Sequence, residues 1–287
     1  MKKLLLIVMC MTLLTSCSEK DFVLDTSHIN ELKDVHGEFD FRIHSNAYML
    51  VDLTDFEILY AYRQDHKVFP ASLTKVVTLD TVLNLVDDLN ETSYVTYQQV
   101  EDLIKEDASL AYIKRDTDYT LRDLLYALML PSGADGALAL ENYFTDRGMD
   151  LVEEMNRHCL EIGCRNSNFV NSTGLHDNNH YSSLSDLFLV VMDVLKFAEG
   201  REIIESLYYT LDDGLELASS IRATRNRKTD VLGGKTGFTL EAGQNIIVLY
   251  RCKGKSYVLL TANAYGDYFG GEYWHFEDAL SIFDHLY

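Results

Sequence analysis

The chain has 287 residues, 47% of them hydrophobic, with only 2 prolines and 16 glycines. That is enough apolar material for one substantial core and too little Pro and Gly for a low-complexity linker, so one domain with elaborations is expected. Its 25 Lys and Arg against 45 Asp and Glu leave a formal charge of −20, which disfavours nucleic acid and anionic lipid headgroups as partners.

In chain order, the first element is an address. Lys2 and Lys3 precede an apolar run from Leu4 to Leu14, the length of a secretory signal core and too short to span a bilayer. The run ends in Leu14-Thr15-Ser16-Cys17, which resembles the lipobox of bacterial lipoproteins, where the cysteine is diacylated and becomes the new N-terminus. The expectation is a signal peptide over residues 1–16, a polar, acidic, lipid-anchored tether over 17–38, and a folded body over 39–287. Acyl chains on Cys17 would hold the chain at a membrane without spanning it, on the extracellular or periplasmic side. An ordinary secretory signal with an incidental Cys17 is the alternative.

Two β-patterned runs follow, Ala47–Leu53 and Phe56–Tyr62, separated by Thr54-Asp55 as in a hairpin. Val68–Leu85 then reads as a helix that is apolar on almost every side, the mark of a central core helix. Pro70 stands ahead of it, where a fixed φ costs a helix least. Ser72 and Lys75 lie three residues apart on one face, which sets a hydroxyl nucleophile beside an amine base. The amine serves as a base only if burial or a second cation lowers its pKa by roughly three units.

Asn90 to Thr120 is polar and mixed, in keeping with short helices and loops of a lateral lobe. The run LRDLLYALML after Thr120 is an amphipathic helix that Pro131 stops. Ser132-Gly133-Ala134-Asp135 is expected to form a turn, with helix resuming over Gly136–Phe144 and again over Met149–Ile162. Asn171-Ser172-Thr173-Gly174-Leu175 is a turn-rich loop, read as a structural turn bordering a cleft. Ser185–Phe197 and Arg201–Tyr208 read as helices. The last third changes period: Leu232–Thr239, Asn245–Arg251 and Ser256–Asn263 are strands, Gly254 marks the turn between the last two, and Glu272–Leu286 is an amphipathic helix. Strands at both ends with helices between them predict an α/β (α+β) fold, one antiparallel sheet flanked by helices, plus a helical lobe.

Of the five cysteines, Cys10 would leave with the signal and Cys17 would carry lipid, so Cys159, Cys164 and Cys252 remain. An odd number does not describe a disulfide framework. A Cys159–Cys164 bridge is compatible with export, but buried free thiols are the expectation. The nine histidines are scattered, and with no Cys/His cluster of zinc-like spacing no metal site is expected.

Ser72-Leu73-Thr74-Lys75, Ser132-Gly133-Ala134 and Lys235-Thr236-Gly237 occur in the order of the Ser-x-x-Lys, Ser-x-Asn and Lys-Thr-Gly elements of penicillin-binding proteins and serine β-lactamases. The surrounding PASLTK, LMLPSGAD, NSTGLHDNNHYSS and GGKTGFTLEAG resemble the serine-type D-alanyl-D-alanine carboxypeptidases, the low-molecular-mass penicillin-binding proteins. The resemblance runs from roughly Tyr48 to Asn263 and implies a β-lactamase/transpeptidase-like fold. It implies a peptidoglycan stem peptide ending in D-Ala-D-Ala as substrate, β-lactams as covalent inhibitors, and no cofactor. By the same resemblance Ser72 attacks the carbonyl of the penultimate D-alanine, Lys75 takes its proton, and Ser132 relays that proton to the leaving D-alanine. Lys235 and Thr236 would hold the terminal carboxylate. Gly237 would allow a close strand approach, and the backbone N–H groups of Ser72 and Phe238 would form an oxyanion hole.

One position departs from the pattern: the motif Asn is Ala134 here, while Asp135 matches the Asp that often follows. The lost contact would cost roughly 1–3 kcal/mol unless water or a neighbour fills the gap. Two alternatives stay open. A β-lactamase or esterase would commonly use a Glu-x-x-Leu-Asn loop between the second and third elements, and no such string occurs between Ser132 and Lys235. A catalytically weak protein that binds wall peptides or β-lactams is favoured only by Ala134.

Overall fold

The computed structural model describes residues 33–37, 39, 41–224 and 230–286, so the expected signal peptide, Cys17 and most of the tether lie outside the described residues. The strands and helices in order are β1 Lys33–Gly37, β2 Ala47–Asp52, β3 Glu57–Tyr62, α1 Thr74–Leu85, β4 Thr92–Ser93, α2 Tyr97–Lys105, β5 Tyr119–Thr120, α3 Leu121–Met129 and α4 Ala134–Thr145. They continue with α5 Leu151–Glu161, α6 Leu184–Val194, α7 Ala198–Glu205, β6 Tyr208–Thr210, β7 Glu216–Ala218, β8 Asp230–Thr239, β9 Gly243–Cys252, β10 Lys255–Ala264 and α8 Trp274–His285.

The main sheet runs β1-β3-β2-β10-β9-β8. Five of its strands are antiparallel, joining the N-terminal hairpin to the C-terminal meander through β2 and β10, with Leu50 opposite Leu259. The sixth adds a parallel edge to the expected antiparallel sheet and corrects one sequence expectation. β1 pairs with β3 in parallel, so the sheet is mixed, and Lys33–Gly37, expected to be tether, belongs to the folded body. A five-residue edge strand without alternating apolar residues carries little periodic signal, which is why composition alone placed it in the tether.

Period-two alternation divides the sheet's side chains between two cores. Met49, Val51, Ile247, Leu249, Val258 and Leu260 face the helical side with α1 and α6. Leu50, Ile246, Val248, Tyr250 and Leu259 face Ala279, Ile282 and Phe283 of α8. α1 is therefore covered on every side, with Thr74 through Leu83 all buried, in keeping with a sequence that is apolar on almost every side. Its first turn is tighter than expected: Ala71–Leu73 is a 3₁₀ turn, and the α-helix starts at Thr74. The helix expected to open on Ser185 opens instead from Ser183, whose hydroxyl accepts the N–H of Asp186.

One buried group in the α8-side core has an unmet demand. The Tyr250 hydroxyl has no hydrogen-bond partner among the described residues, and burial pushes its pKa far above the usual tyrosine range. Tyr250→Phe removes that desolvation penalty while keeping the ring against Phe283. The variant is expected to gain about 1 kcal/mol, read as a thermal midpoint higher by roughly 2–4 °C. A lower midpoint would show that the hydroxyl does find a partner.

Candidate active site

Three segments converge where α1 begins. The 3₁₀ turn carries Ser72, the turn between α3 and α4 carries Ser132, and β8 carries Lys235, Thr236 and Gly237. Asn245 fastens β9 to the nucleophile segment, its side-chain amide donating to the carbonyls of Phe69 at 2.9 Å and Pro70 at 3.2 Å. Gly237 has to be glycine here: a Cβ would come within 2.9 Å of the Pro70 oxygen and 3.0 Å of the Ser72 nitrogen. The strand thus lies directly against the N–H of Ser72, with Phe238 the next residue along it, as the expected oxyanion hole requires.

Lys75 Nζ donates to Ser72 Oγ at 3.2 Å and also to the carbonyl of Thr173. Only 1% of Lys75 is exposed. Burial pulls its pKa down to about 7, against an opposing pull from the Asp135 carboxylate. At that value about half of the amine is neutral at pH 7 and able to accept a proton. On the opposite wall Lys235 Nζ donates to Ser132 Oγ and to the Thr236 carbonyl, both at 2.8 Å. Burial, and after it the charge of Lys75, pushes Lys235 well below the ordinary lysine range. Desolvation, and not a second cation, therefore carries the depression at Lys75, while the charge of Lys75 adds to burial at Lys235.

The backbone is strained at the reacting groups. Ala71, just before the nucleophile, has φ +48°, and Ser132 has φ +65°, values that non-glycine residues hold only where surrounding contacts enforce them. At Ala71 the enforcing neighbour is the Asn171–Leu175 turn. Gly174 packs so closely that a Cβ would sit 2.0 Å from the Ala71 oxygen. This turn does more than border the cleft, since it supplies the Thr173 carbonyl that receives Lys75. Asn171 shapes it by accepting the N–H groups of Thr173 at 3.2 Å and Gly174 at 2.7 Å.

Two supporting residues escaped the sequence reading. His180 Nδ1 accepts the Val170 N–H at 3.1 Å, which leaves the ring proton on Nε2 to be donated to Thr74 Oγ1 at 2.7 Å. Burial holds this histidine neutral, with its pKa lowered to about 4. It ties the 170–181 loop to Thr74, the residue just before Lys75. Ser220 is the other, its hydroxyl 2.6 Å from that of Thr236. His180 falls within the NSTGLHDNNHYSS stretch that carries the resemblance, but neither it nor Ser220 has a role legible in sequence; their roles exist only through contacts across more than a hundred residues in one case and sixteen in the other.

The departure at Ala134 is closed by protein. Ala134 is 1% exposed and its N–H donates to the Ser109 carbonyl at 2.8 Å. Ala134 and Asp135, expected in a turn, already form the first residues of α4. The neighbouring Asp135 carboxylate accepts N–H groups from Ala111 at 2.8 Å, Ile113 at 3.2 Å and Gly136 at 3.1 Å, which lays the 109–113 loop over the Ser132 turn. Asp135→Asn removes the negative charge that favours protonated Lys75. It is expected to shift the acid limb of any Lys75-dependent rate to lower pH, at a cost of about 1–3 kcal/mol for the N–H groups left facing an amide. An unmoved pH profile would dissociate Asp135 from Lys75.

No metal site was expected, yet Asp80, His158 and Asp193 bring ligand atoms within 4.8 Å of one another in the core. Donors already occupy this cluster: Asn84 Nδ2 lies 3.2 Å from Asp80 Oδ1 and 3.0 Å from Asp193 Oδ2, and Lys196 pairs with Asp193. His158 Nε2 reaches Asp80 at 3.0 Å and Asp193 at 3.2 Å. The arrangement is an ion-pair network linking α1, α5 and α6.

Comparison with known proteins identifies the family. The sequence model of the D-alanyl-D-alanine carboxypeptidase family matches residues 33–264. The chain belongs to that family. It is 28% identical over 210 residues to the D-alanyl-D-alanine carboxypeptidase DacA of Haemophilus influenzae, covering 72% of this chain and 53% of the relative. It is 25% identical over 201 residues to DacF of Bacillus subtilis, covering 68% and 51%. The chain therefore spans about half the length of the curated relatives it matches. Among solved structures, the Streptomyces K15 DD-transpeptidase superposes with a TM-score of 0.75 at 20% identity, covering 87% of this chain and 100% of that one. Penicillin-binding protein D2 of Listeria monocytogenes, solved in an ampicillin-bound form, superposes with a TM-score of 0.71 at 25% identity, covering 86% and 100%. The family's match begins at Lys33, which agrees with β1 as part of the folded body.

Proposed function

We propose that this chain is a serine D-alanyl-D-alanine carboxypeptidase that removes the terminal D-Ala from peptidoglycan stem peptides through an acyl-enzyme on Ser72. The observation that carries the reading is the buried amine of Lys75, lowered to about 7 and 3.2 Å from the Ser72 hydroxyl. Neutral Lys75 takes the proton from Ser72 Oγ as Oγ attacks the carbonyl of the penultimate D-Ala. The developing oxyanion faces the N–H groups of Ser72 and Phe238. Ser132 passes a proton to the leaving amine, and water then hydrolyses the ester. The substrate's terminal carboxylate lies against Lys235 and Thr236, and its charge restores protonated Lys235, so binding itself sets the protonation of the second wall.

The chain would act outside the cytoplasm on the cell wall, held to a bacterial membrane by lipid on Cys17. The apolar leader and the Leu-Thr-Ser-Cys sequence support this, and Cys17→Ala is expected to abolish incorporation of a labelled fatty acid. The decisive test of the activity is intact-mass spectrometry after mixing with benzylpenicillin, with Ser72→Ala as control. A penicilloyl adduct that requires Ser72 and persists for minutes is expected. An intact drug and no adduct would leave the weak binder as the reading, a possibility that the packed-in Ala134 favours.

A further inference from the structure

The end of α5 holds two thiols in an arrangement that two free thiols do not prefer. Cys159 lies in the helix's last turn and Cys164 just beyond it, and the Cys164 N–H donates to the Cys159 carbonyl at 2.9 Å. That contact folds the chain back and sets the two sulfurs 2.9 Å apart. Even carbon atoms, which are smaller, rest roughly 3.5–4.0 Å apart. Both residues are buried in the helical-side core, with 3% and 4% exposure. Cys252, the other described cysteine, lies in the opposite core against α8, so the sheet separates it from the pair.

We propose that Cys159 and Cys164 are joined by a disulfide in the exported protein. The inference rests on export, and not on the catalytic assignment of Ser72. The step needs an oxidant, and the class is an exchangeable disulfide, either a protein dithiol oxidase of the compartment or oxidised glutathione in solution. One thiolate attacks the oxidant's sulfur and expels a thiol, and the second cysteine then attacks the mixed disulfide. Two protons and two electrons leave the pair, and the oxidant's disulfide is reduced to two thiols. In the folded chain the neighbouring Cys164 sulfur, and after it burial, push the Cys159 thiol up, which suppresses the thiolate that exchange requires. The bond therefore forms while the end of α5 is still open during folding, and the closed core then shields it from reductant.

Its place in the fold gives the bond a purpose. Beyond Cys164 the N–H groups of Arg165 and Asn166 and the Ser167 hydroxyl are all held by the Asp186 carboxylate in the first turn of α6. A bridge would staple α5 to that anchored segment one residue after His158, the histidine that grips α1 and α6. It would fix the register of the helix pack on which Lys75 stands.

Trypsin cleaves after Arg157 and Arg165, so one peptide, His158–Arg165, carries both cysteines. The full chain exported to an oxidising compartment is denatured with an alkylating agent and digested without reduction. Cys252 is expected to be alkylated, while the His158–Arg165 peptide stays unalkylated and lighter than the dithiol by two hydrogens; reduction before alkylation should label both cysteines. A second sample, made in a reducing cytosol, is unfolded, reduced and refolded in a glutathione redox buffer, and should yield the same lighter peptide. Alkylation of both Cys159 and Cys164 in the refolded sample, or a bond from either of them to Cys252, overturns the proposal whether or not export succeeds.

Discussion

Lys75→Arg is expected to lower acylation of Ser72 by benzylpenicillin on the order of 10³-fold, the middle of the range for losing a general base. Arginine preserves a cation of similar reach, but its guanidinium does not give up a proton in proteins. A purely structural lysine, one that only donates to Ser72 and the Thr173 carbonyl, would be replaced with a far smaller loss. The accompanying pH profile separates the two roles. The base is the deprotonated form, and burial brings its pKa to about 7. The wild-type acylation rate should therefore fall tenfold per pH unit below about 7 and level off above it. Rates followed by intact mass between pH 5 and 9 would check both statements. A flat profile, or a variant within tenfold of wild type, would remove Lys75 from the proton transfer.

That depressed pKa is legible in the sequence, which shows a lysine inside a helix that is apolar on almost every side. The same logic of period and flanking turns located the hairpin, the three C-terminal strands and the terminal helix within a few residues. It also brought Ser72, Lys75, Ser132, Lys235, Thr236 and Gly237 together through their motifs. What stayed illegible has a common physical cause. The Thr173 carbonyl is backbone and leaves no side-chain signature, and β1 is too short for its period to register. His180 and the Asp80–His158–Asp193 network are paired only by tertiary contacts: His180 with Thr74 across 106 positions, His158 with Asp80 across 78, and Asn84 with Asp193 across 109. The Ala134 departure is the converse: visible in sequence, but its consequence depended on the 109–113 loop, whose placement comes from Asp135 and not from any local pattern.

The buried network gives the largest expected effect on stability. His158→Ala leaves two core carboxylates without their shared cation, and breaking a buried pair in this way typically costs about 3–5 kcal/mol. The cost should depend on pH with a definite sign. In the folded chain burial opposes charge on His158, but the hydrogen bonds to Asp193 and Asp80 outweigh it and raise its pKa to about 9. Against an unfolded value near 6.5, its contribution is fully present below that value and is lost as pH rises through about 9. Asp80 is raised to about 7, chiefly by burial, so below that pH it takes up a proton and no longer needs a partner. Asp193 is held well below the usual carboxylate range by His158, Lys196 and Asn84 despite its burial, and it stays ionised throughout. The destabilisation by His158→Ala should therefore be largest below about pH 6.5, where His158 is charged and Asp193 is still its ionised partner, and should shrink as pH rises through about 9, where wild-type His158 loses its charge. Urea midpoints of both proteins at pH 5, 8 and 10 would show this as a gap that is widest at pH 5 and narrows toward pH 10. An equal gap at all three would mean that His158 acts by packing alone, and that α1 is held in place without the ion pair.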